Sequence, residues 1–439
     1  MSHIHVVGAG LAGLAAALSL TGAGRAVTLH EAGPAAGGRC RSYFDRELGL
    51  RIDNGNHLML SGNGAVCGYL SETDAWDRVS LLDHAALPFV DVRTGERWAV
   101  RPNAGRVPWW VLHPGRRVPG TRLAEYAQMA RIARVRDGRT VADCMSRGQL
   151  YQRLMEPIAV AALNTPPEAA LARLLGAVMR ETLMQGGAAC RPLLPKEGLS
   201  EALVDPALAV LRGRGATVRL NHRIAELVVA GGRITALRGS GGLIPLEQDD
   251  AVVLAVPPWV ATALLPGLVA PDAFEAIMNI HFRFDASAEA ALRETGFIGV
   301  TSGTAEWVFR KQGHVSVTIS AANRLVDEAA AALAGTVWGD VVDALGLHGR
   351  MRQQMPPWRV VKEKRATFAA TAEQDAKRPR PQAEIARNLA LAGDWVATGL
   401  PATIEGAIRS GRAAARLLLS PHSMTEGRDG SRRDHRAGC

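Results

Sequence analysis

The strongest constraint on the fold lies at the start of the chain. Residues 4–7 read as a short buried strand, Gly8-Ala9-Gly10-Leu11-Ala12-Gly13 follow at once, and residues 14–20 carry a helical pattern. Gly22 and Gly24 end that helix, residues 26–30 form a second strand, and Glu31 closes it. Strand, glycine loop, helix, strand and acid, in that order, are what one half of a dinucleotide-binding α/β unit requires. Gly8 permits the tight turn, Gly10 brings the backbone against a pyrophosphate, and Gly13 lets the helix pack closely on the sheet. The helix N-terminus offers free N–H groups and a positive field to phosphate. Glu31 is placed to accept from the ribose hydroxyls, where an arginine would indicate a 2′-phosphate. The expected cofactor contacts here are Gly8, Gly10, Leu11, Ala12, Gly13, Glu31 and Ala32.

The next segments separate a flavin from a nicotinamide. Gly37-Gly38-Arg39-Cys40-Arg41 resembles the G-G-R motif of the amine oxidase and phytoene desaturase superfamily of flavoproteins. That resemblance implies Arg39 at the pyrophosphate and Arg41 at the flavin end or a nearby carboxylate. A glycine-rich surface turn with two solvated arginines is the alternative reading. Asp53-Asn54-Gly55-Asn56-His57 is similar to the superfamily segment that passes the isoalloxazine ring, which implies flavin-side positions for Asn54, Gly55, Asn56 and His57. Cofactor features return late. Residues 216–220 read as a strand, where the resemblance implies backbone contacts from Val218 on the adenine side, and residues 224–229 and 233–237 read as a hairpin around Gly231-Gly232. Residues 250–256 read as a buried parallel strand stopped by Pro257-Pro258. A strand at 389–392, Gly393-Asp394, and a helix opening near Glu405-Gly406 resemble the second FAD segment of the superfamily. There Gly393 lies at the turn and Asp394 would accept from a ribityl hydroxyl. Pro401, Thr403 and Ile404 would set a helix N-terminus against the flavin carbonyl.

Motifs at both ends predict an α/β fold with a Rossmann-like FAD-binding domain assembled from residues 1–86, 196–273 and 362–420. An α+β substrate domain is expected between them, with a mainly helical, membrane-facing lobe at 87–195 and an antiparallel sheet at 274–361. Residues 421–439 read as a disordered tail.

Composition narrows the class. Hydrophobic residues make up 47% and charged residues 21%, enough for a large core and unlike a disordered or collagen-like chain. The net charge is +9, and only five of the 51 basic residues are lysine. No basic stripe interleaves with aromatics, which argues against nucleic acid, while attraction to an anionic membrane fits. The five cysteines form no C-x-x-C pair, and no His or carboxylate cluster has metal-ligand spacing, so neither a disulfide framework nor a metal site is expected. No leader and no apolar run of about 20 residues is evident, so the expected location is cytoplasmic, peripheral on the inner face of the membrane. Residues 107–117 hold Trp109, Trp110, aliphatics and two arginines. They read either as a lipid-interface segment or as a loop packing its tryptophans on the helical lobe.

Up to about residue 420 the chain resembles the squalene-associated FAD-dependent desaturase family, whose members act as hydroxysqualene dehydroxylases. The resemblance rests on Asp53-Asn54-Gly55-Asn56-His57, Ala161-Ala162-Leu163-Asn164-Thr165 after Pro157, Asn279-Ile280-His281-Phe282, the run 316–322 and the run 393–406. It implies that FAD delivers hydride to a long-chain isoprenoid alcohol as its hydroxyl leaves as water, giving squalene for hopanoid synthesis. It implies an unidentified electron donor and contact with prenyl synthases of the squalene pathway. His57 is then the first candidate for the acid, with Asn56 beside it, and Asn164, His281 and Arg310 are candidates for lining the pocket. A carotenoid-type desaturase or isomerase, an amine oxidase and a non-catalytic flavin scaffold are the alternatives.

Overall fold

The computed structural model describes residues 2–347 and 349–420, so the expected tail at 421–439 lies outside the described residues. Strands His3–Val7, Ala26–His30, Thr217–Arg219, Ala251–Leu254 and Leu389–Leu391 form one parallel sheet. Its order runs from Thr217–Arg219 through Ala26–His30, His3–Val7 and Ala251–Leu254 to Leu389–Leu391. Side chains alternate across it. Val6, Leu29, Val253 and Ala390 face helices Leu11–Gly22 and Ile404–Leu419, while Val7, Val252, Leu254 and Leu391 face the hairpin residues Leu227, Ile234 and Leu237. Covering both faces accounts for the nearly unbroken apolar runs of these strands. The two helices cross closely because Gly411 has no side chain: a Cβ there would lie 2.1 Å from the Ala12 carbonyl oxygen.

A second sheet has seven strands, in the order Trp358–Phe368, Phe274–Phe282, His314–Ile319, Trp307–Lys311, Phe297–Thr301, Leu87–Asp91, Arg97–Val100. All pairs are antiparallel except Phe297–Thr301 with Leu87–Asp91. Two boundaries expected from sequence move. Leu87–Asp91 and Arg97–Val100 join this sheet instead of the helical lobe, because Phe89 and Trp98 stack at 5.6 Å and continue an aromatic surface through Trp307. Trp358–Phe368 carries the sheet past residue 361 by pairing along Phe274–Phe282.

The sheet has two unlike faces. Met278, Ile280, Phe282, Val308, Val315, Val317 and Ile319 are buried against Leu333, Val337, Trp338 and Val341 of helix Ala330–Leu345. The register puts Asn279, His281, Ser316, Thr318, Trp307, Phe309 and Lys311 on the opposite face. Phe89, Trp98, Phe297, Trp307 and Phe309 there pack with Trp110, Met129, Ile132, Tyr151, Leu154 and Leu163 of the helical lobe. Among the described residues no helix is long and apolar enough to cross a membrane.

Candidate functional site

Two glycines of the opening loop are required by the protein itself. Gly8 has φ +103° and a Cβ on it would lie 2.4 Å from the Ala255 carbonyl oxygen; on Gly13 it would lie 1.9 Å from that of Gly8. Gly10 is different. Its backbone, φ −71° and ψ 174°, is open to any residue, and a Cβ on it would meet nothing within 4 Å. No side chain caps helix Leu11–Gly22 at this point, so its leading N–H groups face that open space. Such a site can cradle a phosphate, because nothing in the fold itself requires the side chain to be missing.

The G-G-R loop lies alongside. Gly37 N–H donates to the Ala9 carbonyl at 2.8 Å, and Gly37 bridges to Gly10. The Glu31 carboxylate accepts from the N–H groups of Ala9 at 2.9 Å and Gly33 at 2.8 Å, which fixes it at the strand end beside exposed Ala32. Val218 sits opposite Leu29 in the edge strand. At the other end, Thr403 caps helix Ile404–Leu419 by accepting from Gly406 N–H at 3.0 Å, with Pro401 and Ile404 buried around it. Arg39 and Asp394 come together in an unexpected way. The Arg39 guanidinium pairs with Asp394 at 2.7 Å and also donates to the Ala366 carbonyl, joining the two cofactor segments to the substrate sheet. Arg41 is exposed and, among the described residues, donates to the Gly38 carbonyl at 3.4 Å. A cradle for phosphate, a carboxylate at the ribose end and a second helix N-terminus fit FAD.

The Asp53–His57 segment runs from this cradle to the sheet. Asn56 Nδ2 donates to Ser316 Oγ at 2.7 Å and Thr318 Oγ1 at 3.0 Å. Thr318 in turn donates to Asn279 Oδ1 at 2.9 Å, and Asn279 Nδ2 reaches the Asn54 carbonyl at 3.3 Å. A Cβ on Gly55 would press on Asn279 Nδ2 at 3.2 Å, so the close approach of segment and sheet uses that glycine. Asn56 Oδ1 is buried without a partner among the described residues. Asp53 forms a buried ion pair with Lys311 at 2.9 Å and accepts from Ser42 Oγ and Leu199 N–H. Burial opposes its ionisation, but the Lys311 ammonium and these hydrogen bonds outweigh it and hold the carboxyl below its usual range.

His57 is half-buried, 3.9 Å from Cys40 Sγ, and burial pushes it down to about 4 against the pull of Asp53. That burial favours the neutral, hydrogen-bonding form of the imidazole. His281 is fully buried on the same sheet face, pushed down to about 3 by burial and by His314. The Asp53 backbone lies beside its ring, but neither ring nitrogen makes a well-aligned hydrogen bond.

The structure does not bring the other two pocket candidates to this surface. Asn164 ends helix Glu156–Leu163 with φ +48°; its Oδ1 accepts from Ala321 N–H at 2.7 Å, and its Nδ2 donates to Thr367 Oγ1 and the Glu275 carbonyl. Its amide is used in tying helix to sheet. Arg310 shares its face with Val308, away from the Asp53–His57 segment, because Trp307, Phe309 and Lys311 take the alternate positions. Residues not anticipated as site groups are Lys311, Asn279, Ser316, Thr318 and Glu405. The polar-apolar alternation of Asn279-Ile280-His281-Phe282 and Ser316-Val317-Thr318-Ile319 was the available signal. Glu405 lay in the resembled second FAD segment without a role of its own: its carboxylate accepts from Ala65 and Val66 N–H, both at 2.9 Å, at the start of helix Gly64–Glu72.

Comparison with known proteins agrees with this geometry. Residues 11–419 match the family model described as flavin containing amine oxidoreductase. A hydroxysqualene dehydroxylase of Sinorhizobium fredii is 47% identical over 419 residues, 95% of this chain and 98% of that protein. One of Rhodopseudomonas palustris is 46% identical over the same shares. The crystal structure of an oxidoreductase from Methanosarcina mazei superposes with a TM-score of 0.71 at 14% identity, covering 95% of this chain and 99% of that one, a likeness of fold.

Proposed function

The chain belongs to the flavin-containing amine oxidoreductase family, and from its 47% and 46% identity to two hydroxysqualene dehydroxylases we propose that it removes the hydroxyl group of hydroxysqualene to give squalene. The observation that carries this reading is the division of the sheet face opposite the Asp53–His57 segment. Thr318 stands directly across from Trp307, and Ser316 across from Phe309. Polar groups linked to Asn56 thus border an aromatic surface of Phe89, Trp98, Phe297, Trp307 and Phe309 that continues into the helical lobe. A long hydrocarbon with a single hydroxyl suits a site where polar groups adjoin an apolar interior, its oxygen on the polar side.

In the reaction one C–O bond breaks and one C–H bond forms, and the oxygen leaves as water after taking a proton. Gly8, Gly10, Gly13, Glu31, Arg39, Asp394 and the helix at Thr403 would hold reduced FAD, which on oxidation would supply both the hydride and the proton that leaves with the oxygen. The protein's own part is to place the hydroxyl and to keep other water out. Asn56 Oδ1, buried and unpartnered, accepts from the substrate hydroxyl, while Ser316 and Thr318 hold the Asn56 amide in place. The His57 ring N–H donates to the same oxygen. Its neutrality keeps a second positive charge away from a carbon that becomes electron-poor as the C–O bond lengthens. The aromatic cluster packed beside these polar groups keeps water from that side of the site.

The test is anaerobic. Chemically reduced holoenzyme is mixed with hydroxysqualene in detergent, and flavin absorbance and squalene mass are followed together. One squalene formed per flavin reoxidised is the expected result. A flavin that stays reduced in the presence of accessible substrate sinks the proposal, and oxidised enzyme with a saturated polyene then tests the desaturase alternative.

A further inference from the structure

We propose that the surface formed by residues 106–117 docks the protein on an anionic phospholipid bilayer. Three large apolar side chains stand out from one short stretch: Val107 is 74% exposed, Leu112 62% and Trp109 44%. The stretch is held rigidly. Trp110, next to Trp109, is buried edge-on against Tyr126 at 5.4 Å and anchors the turn Trp109–Leu112 in the lobe core. Asn103 Nδ2 donates to the carbonyls of Gly105 and Val107, and Gly187 N–H to that of Asn103 at 2.7 Å. The exposed side chains are therefore presented on a fixed turn.

Charge identifies the occupant. Residues 97–139 contain ten arginines, no lysine and two acids, Glu125 and Asp137, a net charge of +8 in a chain whose total is +9. Of those arginines Arg101 pairs with Glu294 and Arg139 with Asp137; the other eight form no ion pair among the described residues. Arg116 lies over the Trp109 ring at 4.8 Å, and Arg117 donates to the Val111 carbonyl, which keeps both guanidinium groups beside the exposed turn. Arg131, Arg134, Arg136 and Arg139 line a surface depression of about 560 Å³ at the end of helix Ala127–Arg134 in the same lobe. Apolar side chains rimmed by unpaired arginines complement a layer of anionic headgroups over hydrocarbon. Three side chains fall well short of the roughly 800 Å² per partner of a stable protein complex, whereas a bilayer needs only a shallow wedge and counter-charge. The lobe's inner side packs on the aromatic face of the sheet, so docking sets that apolar interior close to lipid.

The experiment does not depend on the substrate assignment. Full-length holoenzyme is sedimented with vesicles of phosphatidylcholine alone or with one-third phosphatidylglycerol. Binding should be at least tenfold tighter to the anionic vesicles and should weaken as salt is raised. The double variant Val107→Ser/Leu112→Ser should lose at least tenfold. Arg116→Gln/Arg117→Gln should lose about fivefold per arginine on anionic vesicles only. Val269→Ser, an equally exposed apolar site at 65%, should bind like the parent. Equal partition to both vesicle types, or binding unchanged by Val107→Ser/Leu112→Ser, overturns the proposal. So does a parent protein that binds neither vesicle but self-associates through the same residues.

Discussion

Gly10→Ala separates what the fold needs from what the cofactor needs. The protein leaves the Cβ position empty to 4 Å, and φ −71° with ψ 174° suits alanine. Removing a glycine restricts the unfolded chain and stabilises by about 0.4–1 kcal/mol. Alanine is a poorer N-cap by a similar amount. The two effects offset, so the apoprotein should melt within about 2 °C of the parent. FAD is affected differently. The new methyl group stands in front of the N–H groups that open helix Leu11–Gly22 and pushes the phosphate off them. Charge-assisted hydrogen bonds contribute about 1.5–3 kcal/mol each, so losing two removes about 3–6 kcal/mol. That is a complex weaker by about 10²–10⁴-fold. Fluorescence titration of apoprotein with FAD, beside calorimetry of the apo forms, measures both. Gly13→Ala is the contrast, because its Cβ would sit 1.9 Å from the Gly8 carbonyl oxygen and the loop itself must move. FAD affinity within threefold of the parent would refute the placement of the phosphate at Gly10. An apo melting point lowered by much more than 2 °C would refute the claim that the space is open.

Three further outcomes follow from buried polar groups. His5, hydrogen-bonded to His30 at 3.0 Å, is pushed by burial and by His3 from 6.5 to about 4. The unfolded chain then takes the proton first as pH falls, so this stability is complete above pH 6.5 and is lost between 6.5 and 4, by about 3 kcal/mol. Urea midpoints should fall across that window, and fall less for His5→Asn; a flat profile in the parent would contradict the sign. Lys311→Met leaves the Asp53 carboxylate buried without its partner and should cost about 3–5 kcal/mol in urea unfolding, with part recovered in Asp53→Asn/Lys311→Met. Asn56→Leu should leave the flavin spectrum intact and lower squalene formation about 10–100-fold through lost hydrogen bonding to the hydroxyl, read in single-turnover assays. Unchanged turnover would remove Asn56 from the mechanism.

The cofactor half of this protein was readable because its signals are local. A glycine loop between a strand and a helix, or Gly393-Asp394 before a helix, is decided by backbone sterics within a dozen residues. That the cofactor domain is assembled from separated segments followed from the motifs lying at both ends. What each charged group touches did not follow. Arg39 was expected at the pyrophosphate, and no local pattern recorded that its guanidinium also meets Asp394, 355 positions away. Asn164 looked like a pocket residue, yet its left-handed backbone and three hydrogen bonds make it a joint between helix and sheet. Trp109 and Trp110 had one joint assignment in the sequence; a single turn exposes the first and buries the second.

By itself the sequence determined an α/β flavoprotein with a divided cofactor domain, because strand runs, helix starts and glycine positions are properties of short segments. Only the tertiary structure decided which face of each substrate-domain strand is chemical. Alternation places Asn279, His281, Ser316 and Thr318 on one side of their strands, but the pairing across 260 residues that sets Asn56 against Ser316 is a long-range choice. It is made by burial of the opposite apolar face on helix Ala330–Leu345, a contact no local pattern records.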